Sequence, residues 1–79
     1  MSDIIKTFTL SVEELEKNYE ILDMDSKTSV KSFEGVVLEL LAKLKRSQDK
    51  EGNEDLEDDL EDLIYRVILI LGQLDLLEI

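Results

Sequence analysis

Seventy-nine residues allow one small domain, near the lower limit for a self-sufficient hydrophobic core. Cys and His are both absent, which excludes disulfides, thiolate chemistry, imidazole general bases and the commonest metal ligands. The net charge of −11 is uneven: residues 1–50 carry −2 and residues 51–79 carry −9, with Arg66 the one cation of the latter stretch. That balance opposes nonspecific attraction to nucleic acid or an anionic membrane and suits a basic protein surface.

Pro is absent and Gly occurs three times, while 43% of the residues are hydrophobic, too many for a disordered chain. An all-α fold follows as the expectation. Without disulfide or metal, its stability must come from helix packing, with oligomerisation as the usual supplement. The start of the chain, Met1 to Lys6, lacks the basic and long apolar regions of a secretory leader, and the apolar run around Leu63–Leu71 is interrupted by Arg66. The expected location is the cytoplasm.

Residues 1–10 read as an N-terminal arm or short strand, because Lys6-Thr7-Phe8-Thr9-Leu10 partly alternates polar and apolar residues. Ser11 and Glu14 have capping-box spacing, with Leu10 and Leu15 at the positions of a hydrophobic staple. A first helix is therefore predicted over residues 12–22, with Val12, Leu15, Tyr19 and Leu22 on its apolar face.

A polar connection, 23–29, follows. Asp23, Asp25 and Glu34 fall at positions 1, 3 and 12 of a calcium-binding loop, but Lys27 and Thr28 occupy positions 5 and 6, where an oxygen ligand and Gly belong. No metal site and no cofactor are expected. A second helix is predicted over 29–47, its apolar face built from Val30, Phe33, Val37, Leu40, Leu41 and Leu44. Gly35 within it costs about 1 kcal/mol relative to Ala unless it permits a close contact. Residues 47–53 read as a linker broken at Gly52.

The third helix, predicted over 54–78, dominates the chain. Leu56, Leu60, Leu63, Val67, Ile70, Leu74 and Leu77 follow a 4-3-4-3-4-3 heptad spacing. At about 100° per residue, Ile64 and Leu71 widen this seam and Ile68 lies further round, while Tyr65, Leu69 and Leu76 lie nearly opposite. The first half is two-faced, with Asp55, Asp58, Asp59 and Asp62 away from the seam, and Asp62 is placed to pair with Arg66 four residues on. The second half is apolar almost all round, more than two short helices can cover. The expected result is a three-helix bundle that pairs with a second copy. Leu56, Leu60, Leu63, Ile64, Val67, Ile68, Ile70, Leu71, Leu74 and Leu77 form the expected oligomer or partner interface. Asp55, Asp58, Asp59 and Asp62 form an acidic face for a partner with a basic surface.

Residues 5–44 also resemble the ribbon-helix-helix DNA-binding proteins in the order of their elements: Lys6 to Leu10 as ribbon, Ser11-Val12-Glu13-Glu14-Leu15 opening one helix, Thr28 to Leu44 as the next. The resemblance implies a dimer with paired ribbons in the major groove, Thr7 and Thr9 towards the bases and Phe8 and Leu10 inward. No phosphate loop and no nucleophile–base pair occurs, so catalysis is not expected. A non-enzymatic adaptor, inhibitor or regulator of another protein is the leading expectation, and a ribbon-helix-helix transcriptional regulator the alternative.

Overall fold

Three long helices account for the fold in a computed structural model that describes residues 3–50 and 54–77. Helix α1 spans Asp3–Glu20, α2 spans Lys27–Lys50 and α3 spans Glu54–Leu77, and no strand occurs among the described residues. The shape is elongated, 41 × 19 × 14 Å, as expected where two 24-residue helices set the long dimension. None of the described helices is long and apolar enough to cross a membrane.

The expected N-terminal arm is corrected by this structure. Residues 3–10 are the first two turns of α1, and residues 1–2 lie outside the described residues. Ile5 and Phe8 continue the 3-4 apolar spacing of Val12, Leu15 and Tyr19, and both pack against the core. The β-branched and hydroxyl residues between them do not prevent helix here. Thr7 Oγ1 donates to the Asp3 carbonyl at 2.9 Å, and Ser11 Oγ donates to the Thr7 carbonyl at 3.1 Å. Ser11 is therefore an interior helical residue rather than a cap, and Leu10 is 59% exposed instead of stapling against buried Leu15. The ribbon implied by the resemblance to ribbon-helix-helix proteins is helical too, so that family's fold is not formed.

The remaining boundaries shift less. α1 ends at Glu20, before the predicted residue 22, and the chain turns through a Leu22 N–H to Tyr19 carbonyl bond of 3.2 Å. The Asp23 carboxylate accepts from the Asp25 N–H at 3.1 Å, which tightens this turn. Ser26 then caps α2, its Oγ accepting from the Ser29 N–H at 3.2 Å. At its other end α2 continues to Lys50, because Ser47 to Lys50 contains neither Gly nor Pro. The linker expected over 47–53 is thus helical in its first four residues, and 51–53 lie outside the described residues, as does residue 78 of the predicted third helix.

α3 is the central element. Both α1 and α2 pack on it, and they touch each other far less. Val30, Val37 and Leu44, one heptad apart, form the buried line of α2. They meet Leu60, Leu63, Ile64, Val67, Ile70 and Leu74 of α3, and Val12 and Leu15 of α1 close the core. Tyr19 and Phe33 join α1 to α2, with ring centroids 6.1 Å apart.

Gly35 is not explained by close packing. A Cβ built there meets nothing within 4 Å. Gly35→Ala is expected to stabilise the protein by about 0.5–1 kcal/mol through helix propensity alone. A thermal melt checks this: the midpoint should rise by a few degrees.

Candidate interaction surface

The expected interface residues divide between two sides of α3. Leu60, Leu63, Ile64, Val67, Ile70 and Leu74 are buried by the chain's own α1 and α2, and Leu71 is half-buried beside them. From Leu60 to Leu74 the heptad seam is therefore spent within the molecule, and among the described side chains Ile68 is the member of the expected interface left at the surface, 43% exposed. Leu56 and Leu77 belong to α3, with side chains outside the described residues.

Of the residues of the expected acidic face, Asp58, Asp59 and Asp62 are exposed. Asp55 lies on α3 with its side chain outside the described residues. Asp58 and Asp62 share the solvent side of α3 with Glu61, while Asp59 is rotated towards the azimuth of Arg66.

The side of α3 facing away from the core has its own heptad line: Asp58, Asp62, Tyr65, Leu69, Gly72 and Leu76. Helices in a small bundle ordinarily reserve such positions for polar residues. Here Tyr65 is 60%, Leu69 51% and Leu76 73% exposed, with Ile68 alongside. The outer face thus begins acidic and becomes apolar after one turn. A shallow depression lined by Asp58, Glu61, Asp62, Ile64, Tyr65 and Ile68 marks the junction.

Arg66, the one cation of α3, does not neutralise this face. Its Nη2 donates to Glu16 Oε1 at 2.6 Å and its Nε donates to Glu16 Oε2 at 3.1 Å, a two-pronged pair from α3 to α1. The expected pairing with Asp62 is replaced by this contact, because Glu16 presents both carboxylate oxygens to the planar guanidinium across the helix interface. Asp62 acts on Arg66 only through its field. The hydrogen bonds it donates to Glu16 are the main reason that the guanidinium holds its proton more tightly than usual; burial opposes this, and the charges of Glu16, Asp62 and Glu13 add to it. A raised folded-state value stabilises the fold at every pH below the strongly alkaline range where arginine ordinarily titrates, so Arg66 stays charged throughout the neutral region.

Sequence reasoning missed this pair. Its signal was a glutamate at the edge of the apolar face of α1, one turn from Val12, matched with the lone cation of α3. With side chains 32% and 39% exposed, the pair is worth about 0.5–1 kcal/mol after solvent screening. A double-mutant cycle of Glu16→Gln and Arg66→Gln in urea should return that coupling energy. Arg66→Lys alone should lose most of it, because an ammonium lacks the fork.

What the arrangement offers is a helix face about 27 Å long from Asp58 to Leu76, at 1.5 Å per residue. Comparison with protein-family models, curated proteins and solved structures gives no match to this chain.

Proposed function

We propose that this chain is a non-enzymatic interaction protein, an adaptor, inhibitor or regulator that docks on a partner with a basic surface through the outer face of α3. The observation that carries this reading is the apolar stripe of Tyr65, Ile68, Leu69 and Leu76 on the solvent side of a helix whose inner side is already filled by the chain's own core. Leaving such a stripe in water has no folding benefit, and apolar surface of this kind marks interaction sites. The carboxylates of Asp58, Glu61 and Asp62 on the same side supply steering and salt dependence.

A second copy of the chain is the other reading. Gly72 favours it: a Cβ built there meets nothing within 4 Å, so another helix can approach the α3 backbone at the centre of the stripe. Such a homodimer would pair the outer faces of α3, since the inner seam is occupied.

The test is a photo-crosslinking residue at position 69, with a control at position 13 on α1, in cells that make the protein. The interaction reading expects protein adducts from position 69 that are absent from position 13. Adducts of equal yield from both positions, or from neither, would refute it. Sedimentation equilibrium separates the two occupants: a species of twice 9.1 kDa is expected for the homodimer.

A further inference from the structure

We propose that the outer face of α3 receives one cationic amphipathic helix of a partner protein. The partner's apolar residues, at 3-4 spacing, would lie along Tyr65, Leu69, Gly72 and Leu76, and its Lys or Arg residues against Asp58, Glu61 and Asp62. This rests on the interaction reading above and adds the chemistry of the occupant.

Two observations select it. The first is linear register. The outer positions repeat with 4-3-4-3-4 spacing over Asp58 to Leu76, so they stay in line along the helix and match another helix of similar length. The second is charge. Three exposed carboxylates occupy the first turns of this face, and Arg66, the lone cation of α3, is turned to Glu16 on α1. The face therefore has carboxylates without a cation from its own helix, immediately before the uncharged line Tyr65, Leu69, Gly72 and Leu76, with exposed Asp75 beside its far end. Its complement is a helix that is basic for about two turns and apolar for the next three.

A second copy is the poorer complement. It brings the same carboxylates and the same net charge of −11, and it has no cation on the matching face of its own α3. Gly72 allows the backbones to come close, and a bulky partner residue can enter the space above it between Leu69 and Leu76.

The experiment uses the full chain and a fluorescent synthetic helix of about three heptads, with Leu at the a and d positions and Lys and Arg at one end. A twin peptide carries Glu in place of Lys and Arg. Binding is read by anisotropy at low and high salt. The expected result is saturable binding of the cationic peptide, absent for the twin. Leu69→Ser should weaken it by at least about tenfold, as a central contact does. The triple variant Asp58→Asn, Glu61→Gln, Asp62→Asn should weaken it and flatten its salt dependence. Glu14→Gln, an exposed carboxylate of α1, should leave it unchanged. All these positions are at the surface, and circular dichroism verifies that each variant is folded.

Equal binding by wild type and Leu69→Ser would overturn the proposal, since the peptide would then be held by net charge alone. So would the absence of saturable binding. A dimer in sedimentation that Leu69→Ser converts to monomer would overturn it in favour of a second copy. Failure here leaves the broader reading standing if position 69 still gives specific protein adducts. If those adducts are absent as well, both fail.

Discussion

Ile70→Asp is expected to abolish the folded state, whereas Ile68→Asp, two residues along the same helix, is expected to retain it. Ile70 is 6% exposed and lies in the core cluster, while Ile68 is 43% exposed on the far side of α3. The substitution at position 70 removes a packed side chain, a loss of about 2–5 kcal/mol for large-to-small changes in cores. It also places a carboxyl group among Val, Leu and Ile side chains without a partner, which costs further whether the group ionises or takes up a proton. A chain of 79 residues has about 4–12 kcal/mol of stability at 0.05–0.15 kcal/mol per residue, so the combined loss takes most or all of it. Ile68→Asp loses partial burial and gains a hydrated charge, a change of about 1 kcal/mol. Helical circular dichroism and urea unfolding measure both. Equal midpoints for the two variants would show that α3 is rotated from the orientation described here.

This contrast also shows how far the sequence could be read. The heptad line through Leu60, Leu63, Val67, Ile70 and Leu74 was legible because helix periodicity turns spacing directly into a face. The exposure of Asp58, Asp59 and Asp62 was legible for the same reason. Periodicity cannot say which chain covers a face, and here α1 and α2 take the inner seam that was expected to serve an interface. The residual stripe of Tyr65, Leu69 and Leu76 follows from the azimuths already visible in the sequence, once the buried side is known. Arg66 illustrates a different limit. Its i,i+4 neighbour Asp62 is the local partner, and only the packing of α1 on α3 brings Glu16 within reach of both guanidinium prongs.

The N-terminal segment was misread because two local signals outweighed a longer one. Alternation over Lys6 to Leu10 suggested a strand, and the Ser11–Glu14 spacing suggested a helix start. The 3-4 series Ile5, Phe8, Val12, Leu15, Tyr19 runs through both and describes a continuous amphipathic helix. Hydrophobic burial of Ile5 and Phe8 against the core decides the conflict, and the hydroxyls of Thr7 and Ser11 find backbone acceptors one turn back within the helix itself.

Leu10→Pro separates these two descriptions. In an arm preceding a helix that starts at residue 12, position 10 lies outside the helix, where proline breaks no helical hydrogen bond. In α1 it is interior, with a full turn of helix on either side. Proline there removes an N–H from the helical ladder, and its ring collides with the carbonyl four residues back, at Lys6. Either the helix kinks or the turns before Leu10 detach and take Ile5 and Phe8 out of the core. The expected cost is about 3 kcal/mol, a large share of the stability available to so small a domain. Leu10→Ala is the control, because Leu10 is 59% exposed and Ala is the best helix former, so its effect should stay within about 0.5 kcal/mol. Urea unfolding followed by helical circular dichroism reads both the lower midpoint and the loss of helical signal in the native baseline. A Leu10→Pro protein as stable as Leu10→Ala would restore the extended arm and, with it, the possibility that Lys6 to Leu10 pairs as a ribbon.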